Sequence, residues 1–270
     1  MLPHIWCPGC GLGVVLRAFM LGFDKAGVPP EKRVVVSGIG CTARSAGYLK
    51  MDSYHTTHGR AIPFATGVKL ARPELTVAVF SGDGDLFAIG GNHFIHAARR
   101  NMDLHVVCVN NFTYGMTGGQ AGPTTPPKAK SSTTPDGNAE DAFCLPALAT
   151  ACGASYVARW STLDTRRLAD SMAEAFRKKG FTFIEVVAPC PVSFGRANQI
   201  GGGVEEMAYY RRLEKLLPRN ALITGKVKPE DLAIGLHEEL KVGVLVDRVR
   251  PTFLERYDSV IQRPYTGAVK

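Results

Sequence analysis

The chain has 270 residues, 45% of them hydrophobic and 21% charged. That composition suits one large α/β domain or two small ones and excludes a disordered chain, a collagen repeat or a coiled coil. A net charge of +8 favours anionic partners, yet basic groups such as Arg99-Arg100, Arg166-Arg167 and Arg177-Lys178-Lys179 are scattered. No nucleic-acid motif accompanies them, so nucleic acid is not expected as a partner. No apolar run approaches the ~20 residues of a bilayer span. The start, through Trp6 and Cys7, has neither the basic flank nor the apolar core of a signal peptide. A cytoplasmic protein away from membranes is expected, and its seven cysteines point to metal binding or catalysis before disulfides.

Short β-branched runs alternate with helical patterns along the chain. A helix from Gly11 to Leu21 precedes a strand at 34–37, and a helix from Ile62 to Ala71 precedes a strand at 76–80. Helix 89–100 leads to strand 105–109, helix 146–151 to strand 155–158, and helix 163–179 to strand 183–187. Near-continuous apolar strands mean both sheet faces are covered. The expected fold is therefore a doubly wound, mostly parallel α/β sheet. Two stretches depart from this rhythm. Residues 113–138 form a long Thr-, Gly- and Pro-rich loop of the kind that is usually functional. From Arg196 onward the alternation fades. After a helix-like 204–217, the last fifty residues read as an irregular appendage packing on the domain or on a partner.

Four chemically unusual segments directly follow predicted strands: Gly38-Ile39-Gly40-Cys41, Gly82-Asp83-Gly84-Asp85, Asn110-Asn111 and Pro189-Cys190. Ligands of open α/β sheets bind beyond the carboxyl ends of the strands, so these turns predict one shared site. Glycines let the backbone approach a phosphate, and a strand-end carboxylate holds a divalent cation that keeps ligand phosphates in its shell. One strand–helix–strand crossover separates Asp83 from Asn111 and brings them side by side, which reads as a Mg²⁺–diphosphate site. Cys7-Pro8-Gly9-Cys10 taken alone fits a redox pair or half a zinc site. With Cys41 and Cys190 on the same edge, four thiolates suit a zinc ion or an iron–sulfur cluster, and a two-plus-one-plus-one spacing favours the cluster. Cys108, Cys144 and Cys152 read as small buried hydrophobes, and His55, His93, His96 and His105 as structural or surface residues.

Gly-Asp-Gly followed by Asn-Asn resembles the thiamine diphosphate motif. Together with Trp6-Cys7-Pro8-Gly9-Cys10-Gly11, Ser37 to Cys41, His58-Gly59-Arg60-Ala61 and Tyr114 to Gln120, the chain over residues 5–200 resembles the β subunit of 2-oxoacid:ferredoxin oxidoreductases. That resemblance implies an oxidoreductase that decarboxylates a 2-oxoacid oxidatively to an acyl-CoA and reduces ferredoxin, with coenzyme A as co-substrate. It implies thiamine diphosphate, Mg²⁺ and one 4Fe–4S cluster. Mg²⁺ would be held by Asp83, Asn111 and the Thr113 carbonyl, and the cluster by Cys7, Cys10, Cys41 and Cys190. The text around Cys190, Pro-Cys-Pro-Val-Ser-Phe-Gly-Arg, is longer than the form expected of the family. The cofactor would lie against Gly40, Cys41, Thr42, His58, Gly59, Gly82, Gly84, Asp85 and Gly115, with Met116 near the thiazolium. Residues 1–195 would form the cofactor and cluster domain and 196–270 the C-terminal extension.

The resemblance also implies an obligate α subunit, in an αβ or (αβ)₂ assembly, that supplies the activating carboxylate, so the chain alone should be inactive. Arg44, three residues after Cys41, is expected to meet the far carboxylate of 2-oxoglutarate and favour it over pyruvate. Two readings of other classes stand beside this one. A dinucleotide-binding module is suggested by Gly9, Gly11 and Gly13, although that run precedes the first strand instead of following it. A stand-alone electron carrier would have no need of the Gly-Asp-Gly and Asn-Asn pair.

Overall fold

The computed structural model describes residues 3–262. The first helix, α1 (Leu12–Ala26), places Leu12, Val15, Phe19 and Phe23 on one buried stripe and ends on Gly27, whose positive φ closes the last turn. Strand β1 (Arg33–Ser37), a 3₁₀ turn at Ala43–Tyr48 and strand β2 (Asp52–His55) follow. Helix α2 (Ala61–Ala71), β3 (Thr76–Gly82), a π-helical turn at Gly84–Ile89 and α3 (Gly91–Arg100) lead into β4 (His105–Asn110). A two-strand ribbon, β5 (Thr113–Tyr114) and β6 (Gln120–Ala121), opens the long loop. Then come α4 (Leu145–Ala151), β7 (Tyr156–Ser161), α5 (Thr165–Arg177), β8 (Thr182–Val187), α6 (Gly203–Leu213), β9 (Glu214–Leu216), β10 (Leu240–Asp247) and α7 (Phe253–Ile261).

Among the described residues the main sheet runs β2-β1-β3-β4-β8-β7-β10-β9. Every pairing is parallel except β10 against β7. Alternate strand residues feed two cores. Val35, Ala78, Phe80, Val107 and Val109 pack with α1 and α5, whereas Val34, Val36, Val77, Val79 and Val106 pack with α2, α3 and α4. This period-2 partition makes three layers and accounts for the continuous apolar strands.

All five expected strands and the six expected helices form, with edges moved by a few residues. Edge strand β2 carried no apolar signal because its side chains are mostly exposed. The last fifty residues, expected to be an irregular appendage, are irregular only up to residue 239, where turns and one 3₁₀ turn at Glu230–Leu232 prevail, and α7 at Phe253–Ile261 departs from that expectation too. Residues 240–247 correct that expectation: they form an eight-residue strand inside the sheet. The segment has the apolar run of the other strands but lacks a preceding crossover helix, because it enters antiparallel. The last eight residues of the expected extension, 263–270, lie outside the described residues. No helix among those described is long and apolar enough to cross a membrane.

Candidate functional site

The chain leaves β1 toward β2 on one side and returns to β3 on the other, so a crevice opens beyond the carboxyl ends of β1 and β3. A cavity of about 170 Å³ lies there. Its walls include Gly40, Cys41, Thr42, His58, Gly82, Asp83, Gly84, Asp85, Asn111, Thr113, Gly115 and Met116. The expected cofactor residues thus converge on one cavity, with Gly59 adjoining through Asp85. Arg44 is not in that wall; it is exposed on the 3₁₀ turn after Cys41.

The two carboxylates of the Gly-Asp-Gly-Asp turn do different work. The Asp85 side chain, 2% exposed, ties three segments together. It accepts from the Ile39 N–H (3.0 Å), the Gly59 N–H (2.7 Å) and the Ser81 hydroxyl (2.9 Å), and its Oδ1 lies 2.6 Å from His58 Nδ1. Glycine at 38 is required for this packing, since a Cβ there would stand 2.0 Å from Asp85 Oδ2. Asp85 was expected to meet the cofactor through its backbone; the structural task of its carboxylate had no signal in the spacing.

Asp83 is also buried, 3% exposed, and among the described residues no Lys, Arg or His pairs with it. Burial pushes its pKa up to about 6, against the opposing pull of the Thr124 hydroxyl and nearby N–H groups. A carboxylate withdrawn from water with no cation of the chain beside it suits a divalent ion. Asn111 and Thr113 add oxygen donors to the same wall. The Thr113 carbonyl accepts the Gly115 N–H at 3.1 Å and keeps its second lone pair. The donor set is all oxygen, as Mg²⁺ prefers.

Three chain segments bring the cysteines together. Gly11 N–H donates to Pro189 C=O at 3.0 Å, and Trp6 Nε1 donates to Cys41 C=O at 2.8 Å. Glycine at 11 is what permits the first contact, because a Cβ would meet Pro189 Cδ at 2.7 Å. Gly9 and Gly11 therefore serve close packing beside Cys10, whereas a Cβ on Gly13 would meet nothing within 4 Å. A Cβ on Gly115 would lie 3.6 Å from both Cys41 Sγ and Cys190 Sγ. Burial pushes the Cys10, Cys41 and Cys190 thiols up to about 11, and each is raised further by its cysteine neighbours. Cys7 is exposed. Among the described residues no three Cys, His, Asp or Glu side chains close on a single ion. Sets of four cysteine thiolates are the usual ligands of iron–sulfur clusters, and these four would be the ones to hold one here.

Other functional side chains gave no sequence signal. Glu206 on α6 accepts from the Cys190 N–H (3.1 Å) and from Tyr210 (3.0 Å), and burial raises it to about 7. Thr124, in the long loop, donates to Asp83. Cys108 is buried as expected, while Cys144 and Cys152 are half-buried.

A family profile described as the C-terminal TPP-binding domain of thiamine pyrophosphate enzymes matches residues 38–186. The 2-oxoglutarate synthase subunit KorB of Methanothermobacter marburgensis is 48% identical over 261 residues, covering 97% of this chain and 89% of that protein. This chain is a 2-oxoacid:ferredoxin oxidoreductase β subunit. The KorB subunit of Archaeoglobus fulgidus is 56% identical over 191 residues, 71% of each chain. Among solved structures, a 2-oxoglutarate:ferredoxin oxidoreductase from Magnetococcus marinus, with 2-oxoglutarate, coenzyme A and succinyl-CoA bound, superposes with a TM-score of 0.84 at 30% identity. That match covers 97% of this chain and 88% of the other. The β subunit is therefore an α/β thiamine pyrophosphate-binding oxidoreductase component.

Proposed function

We propose that this β subunit, joined to an α subunit in an αβ or (αβ)₂ assembly in the cytoplasm, converts 2-oxoglutarate and coenzyme A to succinyl-CoA and CO₂. The C–CO₂ bond breaks, the C–S bond forms, one proton leaves the thiol, and two electrons pass singly to ferredoxin. Thiamine diphosphate supplies the electron sink for decarboxylation. In this reading Asp83, Asn111 and the Thr113 carbonyl hold Mg²⁺, and the backbone at Gly82, Gly84 and Asp85 cradles the diphosphate near His58 and Gly59. Cys7, Cys10, Cys41 and Cys190 hold one 4Fe–4S cluster.

One observation supports the redox half above all. Gly115 and Cys41 belong to the cavity wall, and Gly115 also abuts the Cys41 and Cys190 sulfurs. A one-electron acceptor on the cysteines would stand a single loop away from the cofactor. A stand-alone electron carrier would leave the Asp83 cavity without use. The relatives named for 2-oxoglutarate favour that substrate. Arg44, exposed beyond Cys41, is the chain's candidate for the far carboxylate, which survives the reaction and can be bound without opposing it.

The test is anaerobic analysis of the αβ complex for thiamine diphosphate, iron and acid-labile sulfide, with kcat/KM for 2-oxoglutarate and pyruvate. The expected result is all three components and a preference for 2-oxoglutarate that falls in Arg44→Ala. A preference for pyruvate, or an equal loss on both acids, removes Arg44 from the substrate role. A lack of iron and sulfide removes the cluster.

A further inference from the structure

We infer that Asn110, Thr124 and the buried Arg159–Glu185 pair form a positioning relay that holds Asp83 and the turn from Asn111 to Thr113 in cation-ligating geometry. The inference rests on the reading that Asp83, Asn111 and Thr113 hold Mg²⁺.

The relay begins in the sheet. Arg159 on β7 and Glu185 on β8 are register partners, 1% and 0% exposed, and Arg159 Nε donates to Glu185 Oε2 at 2.6 Å. Arg159 Nη1 is fixed on the Leu232 carbonyl at 2.7 Å. A buried ion pair is weak evidence for stability, because apolar residues of similar volume often serve as well. What this pair does instead is present an oriented oxygen. Glu185 Oε1 accepts from Asn110 Nδ2 at 2.7 Å, which settles which end of that amide points where.

The opposite end, Asn110 Oδ1, accepts the Phe112 N–H at 3.1 Å. Phe112 lies between the two proposed ligands Asn111 and Thr113, and its φ of 63° is left-handed, a conformation that a phenylalanine holds only under constraint. Its carbonyl is fixed as well, by the Thr125 hydroxyl at 2.6 Å. The turn is thus clamped at both backbone groups of its strained residue. Thr124, next in the chain to that clamp, stands between Asp83 Oδ2 and Asn110 Oδ1, the latter at 2.9 Å. Its one proton is shared between them and lies chiefly on the charged oxygen. Asp83 is thereby held from the loop opposite its own strand. Asn110 and Thr124 are each 1% exposed, so no water competes for these contacts.

Outer-shell partners of metal ligands typically change metal affinity by about 10–100-fold when removed, and the effect expected here is of that size. The experiment titrates Mg²⁺ into the metal-stripped αβ complex at saturating thiamine diphosphate and reads cofactor retention by gel filtration and calorimetry. Thr124→Val, which keeps the volume and removes the hydroxyl, should raise the half-saturating Mg²⁺ by about 10–100-fold, and Thr124→Ser should restore it to within about threefold. Asn110→Ala should weaken Mg²⁺ in the same direction, and it decides the matter if Thr124→Val does not assemble. Unchanged Mg²⁺ half-saturation in these variants, with only a lower melting temperature of the metal-free complex, overturns the relay. Asp83→Ala tests the underlying reading by itself. If it binds Mg²⁺ and cofactor as the unaltered complex does, the cation site is elsewhere. If it loses both while Thr124→Val does not, the site stands and the relay falls.

Discussion

The proposed cation cavity and the cysteine nest sit side by side on one sheet edge, yet they are held in different ways. Behind the cavity, Asp85 accepts from segments near residues 39, 59 and 81, and Asn110 is fixed by Glu185, which is fixed by Arg159. Its frame is a buried hydrogen-bond network between neighbouring strand ends. The cysteines come from segments far apart in sequence and are joined by two hydrogen bonds, the Gly11 N–H to the Pro189 carbonyl and the Trp6 indole N–H to the Cys41 carbonyl. In the proposed reading, the difference follows from what each site would hold. A small hard cation needs oxygens placed to a fraction of an ångström, whereas a four-iron cluster itself cross-links the segments that ligate it. The cavity should therefore be pre-organised by the chain, and the nest should owe much of its order to its metal.

That contrast is broken most sharply by removing one ligand from each side. Asp83→Ala should weaken Mg²⁺-dependent thiamine diphosphate binding by more than about 100-fold, beyond the range for outer-shell changes. Iron and sulfide content should stay at the unaltered level. Cys190→Ala should remove the visible cluster absorbance and ferredoxin reduction while cofactor binding persists. If either change empties both sites, the two are one cooperative unit and the comparison fails. Replacing Cys108, which is buried mid-strand, should leave both sites filled.

What could be read beforehand follows the same division. Asp83 and Asn111 stand at the ends of apolar strands β3 and β4, so strand order alone places them together. The cysteines stood out because of their places at strand ends and in Cys-x-x-Cys, which suggest metal or redox chemistry without deciding between them. The direction of a side chain is another matter. Asp83 and Asp85 differ by two positions in one turn, yet one carboxylate has no cationic partner among the described residues and the other ties loops. Only the π-helical turn at Gly84–Ile89, which the local sequence does not announce, separates them. Thr124 was hidden in a loop whose length marked it as functional without saying which hydroxyl mattered. Strand β10 was hidden because its pairing is antiparallel and lies outside the β-α rhythm.

A gentler change sharpens the comparison. Gly11→Ala adds a Cβ 2.7 Å from Pro189 Cδ and 2.9 Å from the Ala188 Cβ. Both neighbours belong to the segment that carries Cys190, so relief must move that segment. Overpacking of this kind costs about 1–3 kcal/mol. The strain falls on the nest, and the expected result is lower iron per chain with unchanged Mg²⁺ affinity for the diphosphate site. Full iron content would show that the cluster itself sets the approach of the two segments.

The smallest effect is expected at the far end of the strand that ends at Asn110 and leads into Asn111. His105 opens β4, 3% exposed, with Nδ1 3.1 Å from the Thr182 hydroxyl. Burial pushes its pKa down to about 4; Asp103 opposes the shift, while Lys69 and Lys179 add to it. The folded chain therefore keeps a neutral imidazole over a range in which the unfolded chain, with a pKa near 6.5, takes up a proton. The unfolded state binds more protons there, so stability rises with pH. The contribution is fully present above pH 6.5, falls as pH drops through that value, and is lost by the folded pKa. Between pH 8 and pH 5 the loss amounts to about 2 kcal/mol. Urea unfolding of the unaltered chain and of His105→Gln at both pH values isolates it, because any fixed cost of the substitution cancels in the difference. Asp103, whose pKa is lowered by Lys69 and the Gly180 N–H against the effect of its own burial, loses its contribution only as pH falls through the carboxylate range, below this window. The pH dependence should shrink by that amount in the variant, with Mg²⁺ affinity and iron content unmoved. A shift in either would mean that β4 transmits a change at its buried start to the ligands at its end, and that the cavity is less independent of the scaffold than its hydrogen-bond network suggests.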